Sequence, residues 1–343
     1  MKRSVIFAGL TLLFIASVIG GLYLGYADLS LGEILHALSR GLAGKGGDDV
    51  TYAIVMDIRL PRVLLAILTG VALAVSGLIM QAVVGNPIAD PYILGISSGA
   101  SLGATLAIVL GLMSALGNVA VGISAFLFAL LTSVGVMILS RIGGRVTSER
   151  LILSGLALSA ATSSIATSSI ATLLVYTAKN RDAIREVNFW LMGSLSGAKM
   201  NQIVFIGPVI LALCIFLATQ SRNLNLLLLG DEVAYTLGKD LAKLRSTYIV
   251  AVSLLVGLVV YTSGTIGFVG LIVPHMARFL LGTNHRYLLP GVILLGASLL
   301  LWADVAARNA LPAGELPTGV VVSVVGAPFF VYLIVKNSRE VQP

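Results

Sequence analysis

The feature that most constrains this chain is a recurring interval. Long stretches without Asp, Glu, Lys, Arg or His alternate with short charged connections, at 4–27, 63–89, 91–140, 151–178, 200–221, 246–274, 287–303 and 316–335. A bilayer's hydrocarbon core is about 30 Å thick and a helix rises 1.5 Å per residue, so one crossing takes about 20 apolar residues. The run 91–140 is too long for one crossing and divides at Leu116-Gly117-Asn118. The run from 246 continues through His275 and Arg278 to about Leu281 and divides at Thr262-Ser263-Gly264. Six single segments and two pairs predict ten transmembrane helices, with both termini on one side. The expectation is an all-α polytopic membrane protein, one transmembrane domain over 1–343.

Composition agrees. Of 343 residues, 57% are hydrophobic and 11% charged, against about 25% charged in soluble domains. That excludes an ordinary soluble enzyme, and the high hydrophobicity excludes disorder. A lone cysteine, Cys214, excludes a disulfide framework and a cysteine-built metal cluster. The net charge of +7 is dispersed between apolar runs, so a nucleic-acid partner is not expected. The first run follows Lys2-Arg3 but exceeds a signal-peptide core, and an uncleaved span is expected.

With the N-terminus inside, the cytoplasmic connections hold Lys2, Arg3, Arg141, Arg145, Arg150, Arg222, Lys239, Lys243, Arg245, Arg278, Arg286, Lys336 and Arg339. These are 13 of 22 basic residues, which favours N-in and C-in. Residues 28–62 form an external loop with an amphipathic piece, Leu29 to Leu42. Residues 176–199 form a second external segment, and 222–245 the largest cytoplasmic loop. The sequence contains no GxxxxGK[ST] phosphate loop, so ATP hydrolysis is expected on other chains.

The fifth predicted span carries hydroxyls nearly all round: Ser154, Ser159, Thr162, Ser163, Ser164, Thr167, Ser168, Ser169 and Thr172. Such a helix lines a polar path or packs closely against neighbours, bonding its own carbonyls. No carboxylate sits in mid-span; Asp57, Asp90, Asp304 and Glu315 fall near span ends. That argues against an ion-coupled carrier, which needs intramembrane carboxylates. His275, one turn from Arg278, reads as structural.

Four stretches carry a family resemblance. They are Arg59-Leu60-Pro61-Arg62 with Gly70, Ser76-Gly77 and Gln81; Asn86-Pro87-Ile88-Ala89-Asp90-Pro91 with Leu94-Gly95 and Gly99-Ala100; Gly264 through Gly267-Phe268, Gly270 and Pro274-His275 to Arg278; and Ala303-Asp304 through Arg308 to Glu315-Leu316-Pro317, Gly319 and Gly326-Ala327-Pro328. Over about residues 5–336 the chain resembles the permease subunits of bacterial ABC importers for ferric siderophores, haem and cobalamin. The resemblance implies ten helices with an inverted repeat of helices 2–5 and 7–10, and a permease dimer. It also implies two ABC ATPase subunits carrying ATP and Mg inside, an extracytoplasmic substrate-binding protein outside, and no cofactor on this chain. Location would be the cytoplasmic membrane of a bacterium or archaeon.

The resemblance assigns roles by position. Arg59, Arg62 and Arg308 would form the pocket that receives acidic residues of the binding protein, a task suited to a guanidinium fork. Simple snorkelling at the membrane edge is the alternative. Gly230, Asp231, Glu232, Ala234, Leu237 and Gly238 would couple to the ATPases; Gly230, Ala234 and Gly238 share one narrow face if helical. Asn86, Ile88, Thr147 and Ser148 would form the cytoplasmic gate, or else Asn86-Pro87 is a helix stop and Ser148 a cap. Ser159, Thr162, Ser163 and Thr167 would line the path. A ferric siderophore is the expected substrate, with cobalamin or haem as the alternative. An ion-coupled carrier and a purely structural subunit are the readings of other classes.

Overall fold

The computed structural model describes residues 2–47, 49–109, 118–142, 147–176, 187, 190–229, 241–311 and 314–340. Twelve helices are named here: α1 (Lys2–Tyr23), α2 (Leu31–Leu42), α3 (Leu60–Val84), α4 (Ile96–Val109), α5 (Asn118–Arg141), α6 (Ser148–Tyr176), α7 (Met200–Thr219), α8 (Ser221–Leu227), α9 (Leu241–Ser263), α10 (Val269–Leu281), α11 (His285–Asn309) and α12 (Thr318–Glu340). Every apolar run in the sequence carries a helix or, for the two long runs, a pair. Among the described residues, Arg3–Tyr23, Val50–Val84, Val119–Arg141, Met200–Thr219, Leu241–Ser263 and His285–Asn309 are long and apolar enough to cross a membrane. Ile96–Ile108, Val269–Leu281 and Thr318–Tyr332 are shorter apolar stretches.

Two boundaries differ from expectation. Residues 28–62 are not a loop throughout. The chain is helical from Val50, passing through Val50–Ala53 and a π-helical stretch, Ile54–Arg59, into α3. Pro61 lacks an N–H and crowds the preceding turn. The wider turn just before it, in which Leu60 N–H donates to the Val55 carbonyl five residues back, lets the helix continue. The loop expected at 222–245 is likewise helical at both ends, in α8 and the first turn of α9. The amphipathic piece is α2, which buries Ile34 and Ala37 against Val55.

Helix α2 opens with a reciprocal cap. Glu33 N–H donates to Ser30 Oγ (3.3 Å), and the Glu33 carboxylate accepts from Ser30 N–H (2.8 Å). The Ser30 hydroxyl, donating to the Glu33 carboxylate (2.7 Å), and then the Ser30 N–H hold that carboxyl below its ordinary value. The cap is therefore whole above the ordinary carboxylate value and is lost as pH falls through the lowered one.

Helix α3 is apolar all round and almost wholly buried, the pattern of a central helix. α7, α9, α10 and α11 pack around it, and α1 lies on α11. Helices α4, α5 and α6 form an adjoining group. Closest approach falls at glycines. A Cβ on Gly70 would collide with the Gly296 carbonyl of α11, and one on Gly77 with the Gly270 carbonyl of α10. Two expected outcomes follow from this packing. Gly77→Val should destabilise the protein by about 1–3 kcal/mol through overpacking, seen as a lower thermal midpoint in detergent, whereas Gly46→Ala, with nothing within 4 Å, should not. The protection of amides in the first turn of α2, measured relative to their intrinsic exchange rates, should fall as pH drops through the lowered Glu33 value, and a Ser30→Ala variant should remove that dependence.

Candidate functional site

Two places where helices stop meet inside the bundle. α3 ends at Gly85, whose left-handed φ of 68° closes the helix. The chain then turns, Asp90 caps the short turn Pro91–Leu94 by accepting from Tyr92 N–H (2.8 Å), and Gly95, φ 72°, starts α4. α9 ends at Ser263, and Gly264 and Phe268 both take positive φ (68° and 66°) before α10. Phe268 is the one such non-glycine among the described residues, a strained conformation for a bulky side chain.

The two interruptions satisfy one another. Tyr92 Oη donates to the Ile266 carbonyl (3.1 Å) and Gln81 Nε2 to the Gly270 carbonyl (3.2 Å). Gln81 Oε1 in turn accepts from Arg278 Nη2, which also reaches the Pro87 carbonyl (3.3 Å). Thr265 Oγ1 donates to the Leu191 carbonyl (2.6 Å), joining the segment before α7. A cavity of about 540 Å3 opens at this junction, lined by Tyr92, Ser97, Met192, Thr265, Gly267 and Ser323 among others.

Helix α6 borders the same region, and its hydroxyls fall into two groups. Ser159 lies beside Gly95, and Thr162 Oγ1 is 2.8 Å from both Ser98 Oγ and its own Leu158 carbonyl. Those two pack against the chain's own α4 side. Ser163 and Ser164 are exposed, with Ala157, Ala160 and Ala161. Thr167 lies on α6, but its side chain is outside the described residues. Ser159 and Thr162 thus contact α4, whereas Ser163 and Ser164 are left exposed.

The three arginines expected at the mouth come together, and all are buried: Arg59 3%, Arg62 4% and Arg308 5% exposed. Arg59 donates to the carbonyls of Leu22 (2.7 Å), Tyr23 (3.0 Å) and Ala27 (2.5 Å), and Arg308 to that of Gly21 (3.1 Å). Both therefore cap the C-terminal end of α1, where unpaired carbonyls and the helix dipole favour cations. Arg62 Nε donates to Asp304 Oδ1 (2.8 Å) and its Nη1 to Glu315 Oε2 (2.7 Å). Asp304 Oδ2 lies 3.1 Å from Arg308 Nε, an ion pair without hydrogen-bond geometry. Sequence reading placed Asp304 and Glu315 only near span ends. The spacing of four between Asp304 and Arg308 was the available signal for this cluster.

At the Gly85 end, Asn86 Oδ1 accepts from Ile88 N–H (3.0 Å), leaving Ile88 exposed. Thr147, not Ser148, caps α6: its Oγ1 accepts from Arg150 N–H (3.4 Å) and its carbonyl from Leu151 N–H (3.1 Å). The cap sits one residue earlier because α6 begins at Ser148. Among the described residues, no hydrogen bond joins Asn86 or Ile88 to Thr147 or Ser148. Gly230, Asp231, Glu232, Ala234, Leu237 and Gly238 lie outside the described residues. The helix leading to them, α8, is held by Asn225 Oδ1, which accepts from His285 N–H (3.0 Å) and sits 2.8 Å from His285 Nδ1.

Interrupted helices meeting at a buried polar junction define a membrane transport subunit, since irregular backbone at that depth persists only inside protein or along a cavity. The chain belongs to the FecCD transport family, which matches residues 11–336. It is 38% identical over 333 residues to the hemin transport system permease protein HmuU of Yersinia pestis, covering 96% of this chain and 95% of that one. It is 42% identical over 289 residues to the vitamin B12 import system permease protein BtuC of Escherichia coli, covering 83% and 84%. A solved inward-facing structure described as a metal-chelate type ABC transporter superposes with a TM-score of 0.83 at 33% identity, over 96% of this chain and 99% of that one. The chain is thus a permease subunit of an ABC importer for iron chelates, haem or B12, a multi-pass protein of the bacterial cytoplasmic membrane. It is not itself a catalytic enzyme, and it works in a complex with ATPase and permease partners.

The arginine cluster generates a direct test. Asp304 is 1% exposed between two guanidinium groups, so Asp304→Asn should cost about 3–5 kcal/mol, the usual effect of stranding a buried charge. Thermal unfolding in detergent should show that loss, with a smaller one for Glu315→Gln, whose side chain is 32% exposed.

Proposed function

We propose that this chain forms, with a second permease copy or homologue, the path of a ferric-siderophore importer. Ten membrane crossings with both termini inside are the topology of this reading. The helices 2–5 and 7–10 of the expected inverted repeat are here α3–α6 and α9–α12. The observation that carries it is the pair of interruptions, one at 85–95 between α3 and α4 and one at 264–268 between α9 and α10, each following a long helix. Short or broken segments at matching positions of two halves mark the substrate path in inverted-repeat transporters. The exposed hydroxyl and alanine face of α6 supplies an uncharged polar wall for that path, facing the second permease. Ser159, Thr162, Ser163 and Thr167 are the path residues on this helix, Ser159 and Thr162 at its edge against α4.

Bulky chelates arrive on an extracytoplasmic binding protein whose acidic side chains engage Arg59, Arg62 and Arg308. Residues 230–238 transmit ATPase motion to α8 and α9 as a rigid-body shift, and Asn86, Ile88, Thr147 and Ser148 narrow the cytoplasmic end. ATP and Mg belong to the partner subunits, and this chain carries no cofactor. The resemblance to a metal-chelate type transporter supports a ferric siderophore. The hemin and B12 relatives support haem or cobalamin as the second reading.

Labelled ferric-siderophore uptake in cells with and without the chain, with unlabelled haem and cobalamin as competitors, tests this. Chain-dependent uptake indifferent to both competitors is the expected result. Uptake that does not require the chain would reject the siderophore and favour haem or cobalamin. Uptake that survives ATP depletion while the proton gradient is kept would reject ATP coupling.

A further inference from the structure

The Arg62 guanidinium is a half-filled seat. Its Nε is bonded to Asp304 and its Nη1 to Glu315, while the buried Nη2 has no hydrogen-bond partner among the described residues. The two carboxylates differ in kind. Asp304 is 1% exposed and lies between Arg62 and Arg308, whereas Glu315 is 32% exposed at the rim of the cluster.

The backbone around Glu315 is anchored independently of its side chain. Leu316 N–H donates to the Ala307 carbonyl (3.0 Å), and Tyr26 Oη lies 2.6 Å from the carbonyls of both Leu311 and Gly314. Rotation of the Glu315 side chain alone would therefore free Arg62 Nη1, with no change in these backbone bonds.

We infer that Glu315 is a resident stand-in for the carboxylate of the docking partner: an acidic side chain of the binding protein displaces it from Arg62 and takes Nη1 and Nη2 together. This rests on the docking reading of the arginine cluster and adds the competitor within this chain. An arginine fork binds a carboxylate best through two parallel bonds, and Glu315 supplies only one. In the undocked chain the same carboxylate offsets the charge of the three arginines and holds the fork in position. Exchange of one carboxylate for another makes docking reversible, since each arrival must first break an existing ion pair.

The test titrates the importer's purified binding protein against the assembled importer in nanodiscs. Variants are Glu315→Gln, Glu315→Ala, Arg62→Lys and the double variant Arg62→Lys with Glu315→Gln. Loss of the competing carboxylate should tighten docking about three- to tenfold in both Glu315 variants, the scale of a partly exposed ion pair. The gain should vanish in the Arg62→Lys background, where no fork remains. Docking unchanged by either Glu315 variant but weakened by Arg62→Lys would overturn the competitor and leave the docking site standing. Weaker docking in the Glu315 variants would make Glu315 a support for Arg62 and equally overturn it. Docking indifferent to every variant would reject the docking reading itself. Should Arg62→Lys fail to assemble, the two Glu315 variants still decide, because a gain in both is required.

Discussion

Backbone hydrogen bonding at depth in the membrane is the constraint on which this structure turns. A polar backbone group exposed to hydrocarbon costs several kcal/mol, so a helix can be interrupted there only if something else satisfies the freed groups. Here each of two interruptions serves the other. The chain after α3 brings Tyr92 to the Ile266 carbonyl, and α3 brings Gln81 to the Gly270 carbonyl, with Arg278 fixing the Gln81 side chain. Glycines at 70 and 77 let α3 approach α11 and α10 closely enough for this to work. The cavity opens where the two interruptions meet, lined by Tyr92 from one and by Thr265 and Gly267 from the other.

The same logic governs the far end of α3. Helix α1 ends with carbonyls that lack partners of their own, and Arg59 and Arg308 supply them. Arg62 and Asp304 complete a buried ionic knot that ties α3 to α11. Buried ion pairs are weak evidence of net stability but strongly resist the loss of one partner.

Much of the fold was legible because membrane helices announce themselves by composition: every uncharged run carries a helix, and the run from 246 divides at Gly264 as its sequence suggests. Val50–Arg59 escaped because Asp57, Arg59 and Pro61 together look like a loop, and only the π-helical stretch reconciles them with a continuous helix. The arginines were legible as a group, but their burial was not. Their partners lie 242 and 253 residues away for Arg62, and no local pattern encodes such pairings. On α6, one face carries hydroxyls set against α4 and another carries hydroxyls left exposed. Composition alone does not separate Thr162, bonded to Ser98, from the exposed Ser163 and Ser164 one and two residues on.

On the proposed function, the exposed face of α6 borders a water-filled path rather than lipid. Cysteines introduced singly at Ser163, Ser164 and, as a control on the exposed apolar stripe of α5, Leu131, in a Cys214→Ala background and in the assembled importer in proteoliposomes, would be challenged with a membrane-impermeant thiol reagent. Positions 163 and 164 should react, at rates that change when ATP is added, while position 131 should not follow them. Protection of 163 and 164 from the aqueous reagent in every nucleotide state, with labelling only by a lipid-soluble one, would contradict it.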